Sequence, residues 1–210
     1  MFFKTSWPKL RRWEFALLIG LSVTFLFGLW MEREQSDLAN SVLRLHVLAH
    51  SDSEADQELK LKVRDRVLEE AEEILPKGAS AEEASQIVQK NLLRLAAAGA
   101  EVVAEEGYDY PVSAEVRETW FPTKDYDGFS LPAGQYRALR ILIGEGEGQN
   151  WWCVVFPPLC LGSASESVTA TALQAGMDEQ QVALLTGDTD GYVIKFKALE
   201  LWEQLKSMLS

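Results

Sequence analysis

Cysteine and histidine are both scarce in this chain of 210 residues, which contains two of each. The cysteines, Cys153 and Cys160, have six residues between them, and the histidines, His46 and His50, lie far upstream. A structural zinc site takes four ligands, and a redox-active cysteine pair more usually has the spacing C-x-x-C. The sequence therefore predicts neither a metal site nor a cofactor.

Hydrolase motifs are also missing, since neither G-x-S-x-G nor H-E-x-x-H occurs. The tripeptide His50-Ser51-Asp52 holds the residue types of a catalytic triad, but neighbours in sequence cannot converge in triad geometry. The glutamates within the sequence GEGEG at 144–148 disfavour a phosphate-binding loop and favour a flexible hairpin turn. We predict no catalytic residues.

Basic residues are too few to balance the acidic ones, with 20 Lys and Arg against 32 Asp and Glu and a net charge of −12. Residues 1–14 carry four basic side chains and one acidic one, a net of +3, so the rest of the chain carries −15. Such an acidic chain is not expected to bind nucleic acid or an anionic lipid surface. Proteins or cations are the plausible partners.

The N-terminus has the pattern of an export segment. Four basic residues (Lys4, Lys9, Arg11 and Arg12) precede the run Phe15–Met31, which is 17 residues long and uncharged. This pattern is typical of a signal peptide or a signal-anchor, with the basic flank in the cytoplasm. The length and the absence of a small-x-small cleavage site favour an uncleaved anchor. We therefore expect membrane contact through this segment, with the rest of the chain exported.

The remaining sequence predicts one domain after a short tether. We assign residues 1–31 to the signal peptide or anchor, 32–40 to a polar tether, 41–160 to the main domain and 161–210 to a variable segment with a terminal helix at 198–209. The run 42–49 alternates as a β-strand, with Arg44 and His46 on one face. Two amphipathic helices follow, with predicted capping boxes at Ser51/Glu54 and Ser80/Glu83.

The apolar period changes after residue 107. Runs at 110–121, 136–143 and 151–156 are rich in β-branched and aromatic residues and predict a meander of three antiparallel strands. The fold class is thus α+β: two helices packed on one face of a small, mostly antiparallel sheet, preceded by an N-terminal signal-anchor helix. Residues 161–176 are rich in Ser, Thr and Ala, and this low complexity indicates a flexible segment.

The stretch NWWCVVFPPLC at 150–160 concentrates unusual residues. On the oxidising side of a membrane an even number of cysteines favours a disulfide, here between Cys153 and Cys160 around a proline turn. A metal or redox pair and two free buried thiols are the alternatives. Adjacent tryptophans on a strand face opposite ways, so either Trp151 or Trp152 faces outward as a binding anchor, or both are packed with one under the following loop.

Several blocks of this sequence resemble the stage II sporulation protein R family of endospore-forming Firmicutes. The segment RLHVLAHSDS at 44–53 is similar to the family's RLRILANSDS opening, with His50 where the family pattern has Asn. Further similar blocks are Gln57 to Asp65, FPTK at 121–124, PAGQY at 132–136 and the stretch at 150–160.

The resemblance implies a signalling protein, not an enzyme. It implies export from the forespore into the space between the two membranes. It further implies that the protein there activates a membrane-embedded aspartic protease of the mother cell, which cleaves the precursor of sigma factor E. As the contact with this receptor we expect Trp151, Trp152, Phe156, Pro157 and Pro158, with Ser51 and Asp52 as a second candidate. An exported cell-wall hydrolase using carboxyl groups and a structural envelope protein are the alternatives.

Overall fold

The computed structural model describes residues 12–76, 78–159 and 165–187. It divides into two compact units, Met1–Asp37 and Leu38–Ser210. In the first unit, helix α1 (Arg12–Asn40) runs on through the residues predicted as a tether and ends in the second unit. Its apolar side chains between Trp13 and Leu26 are exposed, for example Phe15 at 54% and Phe25 at 68%.

No helix within the described part of the chain is both long enough and apolar enough to cross a membrane. The signal-anchor assignment stays a prediction.

The second unit is α+β, as predicted. Strand β1 (Leu43–Leu48) precedes three helices, α2 (Glu54–Ile74), α3 (Ala81–Lys90) and α4 (Leu92–Glu105). Strands β2 (Val112–Phe121), β3 (Lys124–Tyr126), β4 (Phe129–Leu131), β5 (Gly134–Ile143) and β6 (Asn150–Phe156) follow. Helices α5 (Ser165–Gln174) and α6 (Glu179–Thr186) come last among the described residues.

Two helix starts show what the capping patterns predicted correctly and what they did not. The capping box of α3 is present as predicted, with reciprocal hydrogen bonds between Ser80 and Glu83. Helix α2 begins two residues later than predicted, because Ser53 rather than Ser51 accepts the hydrogen bond of the Asp56 amide. The second predicted helix is split in two at Asn91, whose side chain donates to the Ile87 carbonyl.

The main sheet is mixed, with strand order β2-β5-β1-β6, and β3 and β4 form a separate hairpin. Strand β1 is parallel to β5 and antiparallel to β6, and β2 is antiparallel to β5. The predicted meander is therefore wrong, because β1 lies between β5 and β6. The glycine-rich segment 144–148 crosses the end of β1 instead of closing a hairpin.

Both faces of the sheet are covered, whereas the sequence predicted helices on one face. On the first face, α2, α3 and α4 pack their apolar residues, such as Val63, Val67 and Leu95, against Leu45 and Ile141. On the second face a separate core contains Leu38 of α1, Phe129 and Leu131 of the hairpin, Val168 and Ala172 of α5, and Val182 and Leu185 of α6.

The expectation of a flexible segment at 161–176 is wrong for α5. Its residues Val168 and Ala172 are 1% and 0% exposed, so small residues at helical spacing pack closely against the sheet. The predicted terminal helix at 198–209 lies outside the described residues.

Candidate functional site

The end of β1 carries a corner that contains Ser51 and Asp52, the second of the two predicted contact regions, and lies beside the start of β6. We call it the β1 corner and define it by residues 49–52 and by the loop 144–149, which lies against them. The Gly148 amide donates to the Ala49 carbonyl at 3.0 Å, and the Gln149 amide donates to Asp52 Oδ1 at 2.7 Å. The loop is therefore a built element rather than the flexible turn that its composition indicated.

Two glycines make this approach possible. A Cβ on Gly148 would lie 2.2 Å from the Ser51 carbonyl oxygen, and one on Gly144 would lie 2.3 Å from His50 Nδ1. Gly144 also has a positive φ of 58°. The alternation of glycine with glutamate therefore serves close packing, because a larger residue at either position clashes with the corner.

His50 anchors the loop through its ring. Its Nδ1 accepts a hydrogen bond from the Glu145 amide at 3.1 Å, and the ring stacks on Tyr110 with centroids 4.2 Å apart. The Oδ1 atom of an asparagine is bonded to Cγ, as Nδ1 of histidine is, and can accept the same bond. This explains physically how His50 can stand where the resembling family pattern has Asn.

Helix α2 contributes the rest of the corner. The Ser51 hydroxyl donates to Asp56 Oδ2, and this bond lowers the pKa of the buried Asp56 carboxyl below its ordinary value. Lys60, which is 4% exposed, donates from Nζ to the Gln149 carbonyl at 2.9 Å and to Gln57. Burial lowers the pKa of Lys60. Ser51 and Lys60 thus position the corner, while Asp52 is exposed at its surface.

Trp151 lies next to this corner at the start of β6. Its side chain is 36% exposed, and the Arg64 guanidinium carbon lies 4.4 Å from the ring centroid. Asp65 holds that guanidinium, with Arg64 Nε donating to Asp65 Oδ1 at 2.8 Å. We call Arg64, Asp65 and Trp151 the Trp151 platform. Tryptophan and arginine held rigidly at a surface are the residues that most often dominate a protein interface.

Trp152 points to the opposite face of the sheet, as strand alternation requires. It is half-buried, 6.2 Å from the His46 ring and 6.3 Å from the Phe121 ring, measured between centroids. Its carbonyl accepts a bond from the Tyr126 hydroxyl at 3.2 Å. Neither tryptophan of the pair is fully buried, and their side chains lie on opposite faces of the sheet.

The other end of β6 is separate from the corner. Phe156 and Pro157 are buried and Pro158 is exposed, so Pro158 alone of these three presents a surface. Phe156 and Pro158 line a cavity of about 210 Å³ together with Leu68, Leu75 and Ala175. The predicted contact set at 151–158 is therefore divided between the two ends of the strand.

The predicted disulfide involves a residue outside the described part. Cys153 is 5% exposed and faces the helix-side core opposite Leu45. Cys160 lies outside the described residues, so the pairing stays a prediction.

Sequence alternation missed a buried cation on β1. Arg44 is 0% exposed, and its guanidinium carbon lies 3.9 Å from the Phe121 centroid and 4.8 Å from the Tyr136 centroid. Its Nη2 donates to the Tyr126 hydroxyl at 2.8 Å, but Nε and Nη1 have no partner among the described residues. The alternation placed Arg44 on the correct face, but it could not show that aromatic residues from distant blocks cover that face.

Comparison with known proteins agrees with the resemblance in the sequence blocks. A family profile described as "Stage II sporulation protein R (spore_II_R)" matches residues 39–166. The stage II sporulation protein R of Bacillus subtilis (strain 168) is 39% identical over 129 residues, which is 61% of this chain and 58% of that protein. The match thus spans less than two thirds of that relative's length. No solved structure matches.

The matched residues 39–166 begin just before β1 and contain the β1 corner, the Trp151 platform and the Arg44 site. The segments that fold into these features are therefore the ones that carry the likeness. The chain belongs to the stage II sporulation protein R family.

Proposed function

We propose that this chain is an exported signalling protein that activates a membrane-embedded aspartic protease, which then cleaves the precursor of the mother-cell sigma factor E. Family membership supports the sporulation context. The observation that carries the proposal is the Trp151 platform, in which a half-buried arginine packs on an exposed tryptophan. The platform lies beside a corner built by two chain segments far apart in sequence. The receptor contact is this platform together with Asp52.

The geometry of the platform suits recognition. Arg64 is fixed by Asp65 on one side and by the indole on the other, so little side-chain entropy is lost when a partner covers it. Aromatic and arginine side chains at the centre of a contact contribute most of its binding free energy. The platform therefore supplies the anchor of a protein–protein contact.

Activation is a population shift in the receptor. A ligand changes the balance between the inactive and active states of a receptor only by binding one of them more tightly. A rigid platform distinguishes two receptor arrangements sharply, because it cannot adapt to both. The signalling protein then needs no catalytic residue of its own.

The N-terminal pattern of basic residues before an uncharged run supports export. We propose that residues 1–31 direct the domain across the forespore membrane, so that the platform faces the receptor. Whether the segment is cleaved does not alter the contact.

The hydrolase alternative requires a carboxyl group that remains protonated near neutral pH. Among the described residues the carboxyl groups with a displaced pKa are Asp56, Glu70, Glu82 and Glu83, and each pKa is lowered. Hydrogen bonds from Ser51, Arg66, Arg137 and the Ser80 backbone, respectively, are the largest causes. These shifts favour the ionised form of each carboxyl group. They therefore favour a signalling ligand over a hydrolase that needs a protonated general acid.

The test is reconstitution in a host that does not sporulate. The chain is co-expressed with the protease and the sigma precursor, and precursor cleavage is read by immunoblot. We expect cleavage with the full chain, none without it, and none when residues 1–31 are deleted. Cleavage that is independent of the chain would overturn the proposal, and full cleavage with the deleted form would overturn the exported location.

A further inference from the structure

The second face of the sheet carries a row of side chains that crosses all four strands. Directly paired residues lie on the same face. Glu115 pairs with Arg140, Arg140 with His46, and His46 with Trp152. The neighbouring row contains Arg117, which pairs with Ala138, and Arg44, which also pairs with Ala138.

These rows concentrate positive charge in a chain whose net charge is −12. Arg140 Nη1 lies 2.5 Å from Glu115 Oε1, and Arg117 Nη1 lies 3.7 Å from the same oxygen. Arg44 has no carboxylate within ion-pair distance in the described part of the chain. Arg117 and Arg140 thus share one carboxylate, and Arg44 adds a third guanidinium group to the same face. We call Arg44, His46, Arg117 and Arg140 the basic face.

Several nitrogens of the basic face have no hydrogen-bond partner. Among the described residues, Nε and Nη1 of Arg44, Nδ1 of His46 and Nε of Arg140 are buried without one. A buried polar group without a partner is costly. The buried Arg44 has no adjacent counter-charge, so its field extends to the surface with little solvent screening.

One part of this face is open. Arg117 and Glu115 have side chains 58% and 45% exposed, and Arg140 is 17% exposed. Leu48, Leu142 and Trp152 are half-buried beside them. The hairpin residues Phe129 and Leu131 and helices α5 and α6 pack at the Arg44 end instead.

We propose that the basic face binds an acidic segment of a partner protein, with the partner's carboxylates on Arg117 and Arg140 and its backbone beside Trp152. The charge complementarity carries this inference, since one carboxylate does not neutralise three guanidinium groups. Charge-assisted bonds from guanidinium to carboxylate are about twice as strong as neutral ones. This inference goes beyond the proposed function. It rests on the proposed function only where the partner is taken to be the receptor.

The test uses a dye-labelled hexaglutamate peptide and the full chain, with binding read by fluorescence anisotropy. An acidic protein repels this probe in general, so binding reports a local positive site. We expect saturable binding that weakens at higher salt, because exposed charges are screened over about 10 Å near 0.1 M salt. Labelled hexaglutamine should not bind.

The matched variants lie on one strand. Arg140→Gln removes a cation from the basic face, while Arg137→Gln removes one that pairs with Glu82 and Glu118 on the opposite face. We expect Arg140→Gln to weaken binding at least fivefold, Arg117→Gln to weaken it severalfold and Arg137→Gln to change it less than twofold. Arg140→Lys, which keeps the charge, should retain most of the affinity even if Arg140→Gln melts early.

Absence of hexaglutamate binding would overturn the inference, and so would equal losses from Arg137→Gln and Arg140→Gln. Either result leaves the proposed function standing, because precursor cleavage is measured separately. Conversely, specific peptide binding without precursor cleavage would support the basic face while the proposed function fails.

Discussion

The guanidinium of Arg64 lies over the indole of Trp151, with 4.4 Å between its central carbon and the ring centroid. The contact joins the middle of α2 to the first residues of β6, two segments that are distant in sequence. It leaves the indole 36% exposed, while Asp65 fixes the arginine from the side. This partly exposed and fixed indole supports the proposed receptor contact at the Trp151 platform.

Trp151→Ala and Trp152→Ala should therefore differ. The Trp151 change should lower the melting temperature little. It should weaken the free energy of receptor binding by about 2 kcal/mol, which is a roughly thirtyfold loss of affinity. The Trp152 change removes half-buried packing against Phe121 and His46 and should cost about 2–4 kcal/mol of unfolding free energy. Thermal melts and precursor cleavage measured side by side separate the two effects.

Trp120 provides the control, since it is 49% exposed on β2, in a different part of the sheet. Trp120→Ala should leave both readouts unchanged. Equal loss of cleavage from Trp120→Ala and Trp151→Ala would contradict the assignment of the receptor contact to the Trp151 platform.

Two substitutions at His50 separate its two contacts. His50→Asn keeps an acceptor for the Glu145 amide but loses the stacking on Tyr110, while His50→Phe keeps the stacking and loses the acceptor. Each should cost about 0.5–1.5 kcal/mol of unfolding free energy. In urea unfolding, the free energy of unfolding of His50→Ala should fall by approximately the sum of these two losses. A loss for His50→Ala smaller than that of either other variant would show that the loop does not depend on this ring.

The sequence was informative where local patterns decide the structure. The apolar period of α2, the capping box at Ser80 and the alternation on β1 all depend on residues close in the chain, and the structure confirms them. The sequence also placed Trp151 and Trp152 on opposite faces. These features need no knowledge of strand order.

Sequence reasoning failed where distant segments meet. The position of β1 between β5 and β6 depends on pairing across the whole domain, so the loop 144–149 was mistaken for a hairpin turn. For the same reason Arg44 was not recognised as buried, because Phe121, Tyr126 and Tyr136 come from three separate segments. Small residues in α5 indicated flexibility because composition does not reveal the sheet on which they pack.

The cysteine pairing can be measured directly. Cys153 and Cys160 should form a disulfide in exported protein, and closing so short a loop should stabilise the fold by no more than about 2–3 kcal/mol. Mass spectrometry after alkylation without reduction should find both thiols protected. Two alkylated cysteines in exported material would contradict the pairing.

The free energy of unfolding should fall in mildly acidic solution because of the protonation of His46. Burial lowers the pKa of this imidazole, and the positive charges of Arg140 and Arg44 lower it further, against the hydrogen bond to Asn150. The unfolded chain therefore takes up the proton first, near its ordinary pKa of about 6.5. This contribution to stability is complete above that pH and is lost as pH falls through the folded pKa. Urea unfolding between pH about 7 and 5 should show a smaller decline for His46→Gln, and equal declines would contradict this account.

Replacing the buried Arg44 by methionine tests whether its charge is compensated within the fold. Burial lowers the pKa of this guanidinium, even though Tyr126 and Tyr136 oppose the shift. Desolvation of an ion costs several kcal/mol, and a cation–π contact returns about 2 kcal/mol. Methionine keeps the packing against Phe121 and Tyr136 without the charge.

Arg44→Met should therefore leave the unfolding free energy unchanged or raise it by about 1–4 kcal/mol, because an uncompensated buried charge is replaced by apolar contacts. Leu45→Met, at the next position of β1, is the packing control and should cost less than about 1.5 kcal/mol. The same Arg44→Met protein should bind hexaglutamate more weakly, since the basic face loses its buried charge. A stable variant with weakened binding shows that Arg44 serves recognition at the expense of stability. A loss of more than about 2 kcal/mol in urea unfolding would instead mean that the fold itself needs the cation.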